Sequence, residues 1–325
     1  MGATSDSPAL SYDALLSTTT ATRAKQLWDN LSVDIPVFKL MDAGKNKETG
    51  MSGHRVEFVL LYGSNTTVKN RADYDTVTLT KQDGITIGYV PWKNLSGAVS
   101  ISDKEKAMNS GKNQILSLLK GKLDQLEITM HDTMNSDLWS SGSTANQPYG
   151  LQYWIQTSAA TVAGIDDSVN TWWANKYTTA CGSFAANGRD KLRTLRNNCS
   201  KGQNSDSVTD ILMGQTVYEY FDKTLDGIER IQLNSGGQTV NQGNDTLKFY
   251  GSSVRWDADC PASAAYLLNT SGGKMKWNVL NGMDFDATPF QRMPNQFAMA
   301  SMVNVWANLT ISVRKRFGAL TGITA

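Results

Sequence analysis

Between Ser102 and Gly142 the chain carries one long amphipathic stretch, with KNQILSLLKGKLDQLEITMHDTMNSDLW at 112–139 as its main part. Apolar residues recur at Met108, Ile115, Leu119, Leu123, Leu126, Met130, Met134 and Leu138. Steps of three, four and seven put such residues on one face of an α-helix. Ser102 with Glu105 three residues on reads as a capping box: the hydroxyl oxygen accepts from an orphan N–H and the carboxylate reaches back. Ser140-Ser141-Gly142 supplies the stop. The pattern predicts a rod over 103–139, about 55 Å long at 1.5 Å per residue, with Gly111 and Gly121 as weak points that allow a bend. Such a rod far exceeds the usual three or four turns. No heptad repeat continues it elsewhere, and no run of about 18 apolar residues makes it a membrane span.

The flanking segments are mostly of another kind. Residues 1–43 read as an extended arm with one short helix near Thr20–Leu31. RVEFVLLYG, from Arg55, and DTVTLTKQDGITIGYVPW, from Asp75, read as two long strands. The polar SNTTVKNRADY joins them into a protruding hairpin with Lys69 and Arg71 near its tip. An isolated two-stranded hairpin is marginal in water, so this one is expected to lie on another surface. NLSGAVSIS reads as a strand and Arg189–Asn198 as a helix, and SVTDILMGQTVYEYFDKTLD as a strand running into a helix. LNSGGQTVNQGND is a flexible Gly/Asn loop. Short strands follow in TLKFYGSSVRWDADCPASAAYLLNTSGGKMKWNVL, and a long one at Ala298–Val313. Helices and strands mix without βαβ regularity, so the class is α+β.

Composition removes several function classes. Lys+Arg 31 against Asp+Glu 30 leaves net +1, whereas a chain built to grip nucleic acid carries a stronger basic excess. The three cysteines are odd in number and widely spaced. They support neither a disulfide framework nor a structural zinc site, and they fit a reducing compartment. The N-terminus lacks the basic and apolar regions of a signal peptide. With two histidines the chain is poor in the commonest general base near neutral pH.

Each candidate for chemistry has a plainer alternative. Asp257 and Asp259 beside Cys260 invite a metal or acid–base reading, but Asp and Pro also build turns directly. His131, on the rod, and His54, in a Gly/Ser loop, read as ordinary surface residues. NSGGQ and TSGGK lack the phosphate-loop pattern. The cluster RKRF at 314–317 suits phosphate or a neighbour's carboxylates, and equally a solvated strand end. Nine tryptophans, with Trp172-Trp173 adjacent, point to packing and interfaces rather than ligand stacking. No catalytic, cofactor-binding or metal site rises above this background.

The order of elements resembles the major capsid protein of tailed double-stranded DNA bacteriophages, the HK97-like fold. YVPWKNLSGAVSISDKEKAMNSGKNQILSLLKGKLDQLEITM, GLQYWI with GIDDSVNTWWAN, LKFYGSSVRWDADCPASAAYLLN and RFGALTGIT carry the resemblance. It implies an N-terminal arm at 1–43, an extended loop at 44–100 that lies across a neighbouring subunit, and a peripheral domain at 101–165 with the rod as spine. An axial domain at 166–284 and a peripheral C-terminal strand at 285–325 complete it. The loop Leu233–Asp245 would gather around the hexamer or pentamer axis. Expected subunit contacts are Lys69, Arg71, Trp92, Asn234, Gln238, Arg314 and Arg316. The spine core is expected at Met108, Ile115, Leu119, Leu123, Leu126 and Met130. The implied partners are further copies of the chain in hexameric and pentameric capsomers, with scaffolding, portal and decoration proteins as candidates. Genomic DNA would be enclosed without sequence-specific binding, in a virion assembled in the host bacterial cytoplasm, with no membrane, no cofactor and no enzymatic activity. Rival readings are an encapsulin-like nanocompartment shell, a carbohydrate-binding module and an Asp-based hydrolase.

Overall fold

Among the described residues the longest strand, Ala298–Ile311, organises the first of two large sheets. The computed structural model describes residues 35–325 except 44, 78, 109–111, 203–205, 226–246 and 295, with backbone alone at 42, 43 and 112–117. The expected Thr20–Leu31 helix, the loop Leu233–Asp245 with Asn234 and Gln238, and the Ile115 side chain lie outside that description. In the six-stranded first sheet the long strand pairs antiparallel with Lys93–Ser102, from Ala298↔Ser102 to Ala307↔Lys93, and then with Met275–Leu280. The second sheet runs Leu247–Phe249, Ser252–Trp256, Asp210–Met213, Ala265–Leu268, Gly318–Leu320, Lys176–Thr178. The sheets interleave across the division expected at 284/285: Met275–Leu280 joins the long strand, whereas Gly318–Leu320 joins the second sheet.

Strand residues alternate faces, and the second sheet uses both. Leu212, Tyr266, Leu268 and Ala319 enter the main core, while Ile211, Met213, Leu267 and Leu320 enter a second core with Phe184, Leu192 and Phe221. Burial on both sides explains why Ile211–Met213 and Ala265–Leu268 are continuous apolar runs.

The expected rod is two helices, Asp103–Met108 and Lys112–Leu138. They are not collinear, because Lys122 of the second returns to Glu105 of the first. The capping box forms as expected: Ser102 N–H donates to Glu105 Oε2 at 3.0 Å, and Glu105 N–H to Ser102 Oγ at 3.1 Å. The spine helix Lys112–Leu138 lays Leu119 and Leu123 against Val99, Ile101 and Phe290, and sends Met130, Met134 and Leu138 into the main core, with Leu126 half-buried. Gly97 makes this approach possible, since a Cβ there would collide with Leu126 Cδ1. Met108 is a correction. It is 73% exposed, because the short helix is not collinear with the spine and does not share its buried face.

The sequence reading also missed a helix. Pro36–Ala43, taken as part of an extended arm, starts on a proline whose fixed φ suits a first helical position. It buries Val37, Phe38 and Met41, and Phe38 meets the Trp277 ring edge-on at 5.2 Å.

Candidate functional site

Arg55–Leu61 and Ile85–Pro91 pair antiparallel, from Arg55↔Pro91 to Leu61↔Ile85. Both faces of the hairpin carry apolar residues, with the Arg55–Glu57 ion pair at the root of the outer one, and the two faces have different fates. The inner face, with Val56, Leu60 and Val90, is buried in the main core. Phe58 crosses the partner strand at Gly88, where a Cβ would sit 2.7 Å from its ring. That slot lets Phe58 reach Trp154 and Trp173, with ring centroids 6.1 and 6.4 Å away. Tyr62 stacks on Trp172 at 5.1 Å. Tyr89 N–H donates to the Ala163 carbonyl at 3.2 Å, and the Arg55 guanidinium lies 4.1 Å over the Tyr89 ring. The hairpin root is therefore seated on an aromatic floor built from residues 154–173.

The outer face is open. Val59 is 66% exposed, Leu61 80%, Ile85 60% and Ile87 52%. Val59 faces Ile87 and Leu61 faces Ile85 across the ladder, so the four make one continuous apolar patch. Further along, Val68, Tyr74, Val77 and Leu79 are also exposed.

The second strand does not begin at Asp75 as expected but at Ile85. A strand needs a partner for its backbone N–H and C=O groups, and among the described residues 62–84 no ladder forms. Local bonds shape the tip instead. Arg71 Nη2 donates to the Thr67 carbonyl at 2.7 Å, and Thr66 Oγ1 to Gln82 Oε1 at 3.1 Å. Lys69 and Arg71 are both exposed there, as a contact role requires.

The other expected contacts among the described residues, Trp92, Arg314 and Arg316, are wholly or partly buried. Trp92 is half-buried, its indole N–H donating to the Gly53 carbonyl at 3.0 Å. Arg316 is largely spoken for: its Nε lies 2.7 Å from Asp206 Oδ2, and its side chain is 11% exposed. Burial alone would raise the Asp206 carboxyl, but Lys274 and Arg316 hold it below the usual range. Arg314 is a correction, since its side chain has no exposed area and cannot meet a neighbour or phosphate. Its Nε donates to the Trp154 carbonyl at 2.8 Å, Nη1 to Asp167 Oδ2 at 3.2 Å, and Nη2 to Asn175 Oδ1 at 3.0 Å. Burial pulls its pKa down, and Asp167 opposes that pull. Asp167 lies 147 residues away in the chain, so no local pattern could have announced the pair.

Asp257 and Asp259 form a turn. Asp259 N–H donates to Asp257 Oδ1 at 3.0 Å, and Asn135 of the spine helix donates to Asp257 Oδ1 at 3.3 Å and Asp259 Oδ2 at 2.5 Å. Burial pushes the Asp257 carboxyl above its ordinary range. Cys181, Cys199 and Cys260 are buried free thiols, and burial pushes Cys199 up to about 12. His54 is exposed, and His131 is half-buried on the spine helix. Among the described residues no three His, Cys, Asp or Glu side chains are placed to hold a metal ion, and no described helix is long and apolar enough to cross a membrane.

No family model matches the sequence, and no curated protein sequence does. Solved structures do match. The capsid asymmetric unit of cyanophage A-1(L) is 16% identical, with 88% of this chain and 93% of that one covered and a TM-score of 0.61. The capsid of an empty GTA particle is 13% identical, over 88% and 90%, at 0.58. The SrpI encapsulin complex of Synechococcus elongatus PCC 7942 is 10% identical, over 89% of each chain, at 0.55. The chain thus has an α+β, HK97-like fold, as the resemblance of its sequence implies.

Proposed function

We propose that this chain is a structural shell protein: the coat of a tailed-phage head, self-assembling through hexameric and pentameric capsomers around double-stranded DNA. The observation that carries the reading is the uncovered outer face of the hairpin. Contiguous exposed apolar surface marks an interaction site, and a second copy of the chain is the occupant the shared fold suggests. Covering a Val, Ile or Leu side chain is worth about 1.5–3 kcal/mol, whereas an exposed ion pair contributes about 0–1 kcal/mol. Val59, Leu61, Ile85 and Ile87 would therefore supply the affinity, with Lys69 and Arg71 setting register.

In this reading residues 1–43 are the N-terminal arm, 44–100 the extended loop, 101–165 and 285–325 the peripheral domain, and 166–284 the axial domain, with strands exchanged between the last two domains. Asn234 and Gln238 belong to contacts around the capsomer axis. Scaffolding, portal and decoration proteins are candidate further partners, and the virion is the proposed location. The deciding experiment is size-exclusion chromatography of the purified protein followed by negative-stain electron microscopy. Closed shells, tubes or five- and six-fold rings support the reading. A monomer that persists when phage assembly partners are co-expressed overturns it.

The encapsulin match favours a second reading, a nanocompartment around protein cargo. Particle contents separate the two, since nuclease-protected DNA supports the phage head and co-purifying protein cargo the compartment.

A further inference from the structure

Arg314 joins segments that are distant in sequence at one point beneath the hairpin. Its donors reach Trp154, Asp167 and Asn175, with a longer bond from Nη1 to the Trp173 carbonyl at 3.4 Å. Its guanidinium also lies 5.4 Å from the Trp173 ring centre. The acceptors are themselves held. Asp167 Oδ1 accepts from Ala160 N–H at 2.7 Å, and Asn175 Nδ2 donates to the Gln156 carbonyl at 2.7 Å. Trp173 Nε1 donates to the Val162 carbonyl at 3.1 Å. Trp154 and Trp173 are the rings Phe58 packs on, Trp172 carries Tyr62, and Ala163 accepts from Tyr89. The hairpin touches none of the Arg314 bonds in this network, yet its seat is made of the residues those bonds hold.

We infer that Arg314 is a positioning residue for assembly: by locking the aromatic floor it sets the direction in which the hairpin leaves the body. The inference rests on the shell-forming reading. If the hairpin's outer face binds the next copy, the angle of its root is the angle between copies, and a small tilt at the root is multiplied along the arm. The planar fork of arginine suits the task, because its donors are fixed relative to one another. A lysine is a single point of charge that cannot hold Trp154, Asp167 and Asn175 at once.

The test compares wild type with Arg314→Lys, and with Trp172→Ala, which removes the Tyr62 stack and the Trp172 contact with the Trp173 ring while leaving every Arg314 bond in place. Each is followed by thermal melting, hydrogen exchange and electron microscopy of assembled particles. For folded Arg314→Lys we expect cooperative melting and unchanged protection at 210–213. The hairpin amides at 55–61 and 85–91 should exchange on the order of tenfold faster, and the particles should be open or altered in diameter. Protection lost everywhere, with particles of normal diameter below the melting point, means a merely structural role and overturns the inference. So does wild-type hairpin protection together with wild-type particles. If Arg314→Lys does not fold, Trp172→Ala decides: altered particles support the inference and wild-type particles overturn it. Wild-type protein that forms no particles with co-expressed assembly partners overturns the shell reading itself.

Discussion

Lys122 Nζ lies 2.9 Å from Glu105 Oε2, although 17 residues separate them in the chain. In one straight helix that separation is about 25 Å, beyond the reach of the two side chains. The short helix and the spine therefore do not share one axis. The same ammonium donates to the Ser100 carbonyl at 2.8 Å, tying the spine to the end of its neighbouring strand.

The tie makes the start of the short helix acid-sensitive. The bond from Lys122, then the Ser102 N–H, holds the Glu105 carboxyl below its ordinary range. A depressed carboxyl stabilises above its unfolded pKa, and that stability is lost as pH falls through the folded value. Amide protection at 103–108 should hold as pH drops into the ordinary Glu range and fall below it. In Lys122→Ala the loss should begin at higher pH, as read by hydrogen exchange across a pH series.

Gly97→Val should overpack the strand–spine contact, at a cost of about 1–3 kcal/mol. Leu126→Ala in the same chain should recover part of it by removing the colliding methyl groups. Chemical denaturation of both single variants and the double variant measures the coupling, and additive losses would place the strain elsewhere.

Leu123 is 4% exposed and packs with Val99, Ile101 and Phe290. Leu123→Asp leaves an uncompensated charge there, a loss of about 3–5 kcal/mol, and the variant should fail to fold. Leu123→Ala should lose about 2–5 kcal/mol and remain folded at low temperature. A soluble, cooperatively melting Leu123→Asp would mean that this face is not core.

The hairpin's outer face should separate folding from assembly. Ile87→Glu, and deletion of residues 64–75, should leave the melting temperature nearly unchanged, because these groups are exposed in the single chain. Both should abolish closed shells in electron micrographs. Normal shells from either variant would argue against the outer face and tip as contacts.

Asp257 has the opposite pH sign to Glu105. Burial raises its carboxyl pKa, so its contribution is present below the unfolded pKa and lost as pH rises through the folded one. Asp257→Asn removes the charge and keeps an acceptor for Asp259 N–H. It should melt a few degrees higher than wild type at neutral pH, and the gap should close on acidification. A gap that stays constant with pH would exclude the carboxyl as its source.

Local spacing determined much of this protein. The capping box at Ser102 and Glu105, the apolar face from Leu119 to Met130, the helix at Arg189–Cys199 and the strands at Lys93–Ser102 and Ala298–Ile311 rest on contacts within a turn or on strict alternation. Neighbours in sequence decide such patterns, so they are readable one residue after another.

Tertiary structure decided the rest. Gly111 marks a weak point in the sequence, but that the two helices are not collinear is visible only through Lys122 reaching Glu105. Nothing beside Arg314 shows that Asp167 and Asn175, 147 and 139 residues away, will take a guanidinium that looks like part of a basic surface cluster. Which hairpin face is buried depends on where the aromatic floor at 154–173 stands, and that floor is held from a distant segment by Arg314. Local order follows from backbone geometry over a few residues. Burial and pairing follow from which distant surfaces exclude water together, which is a property of the folded chain alone.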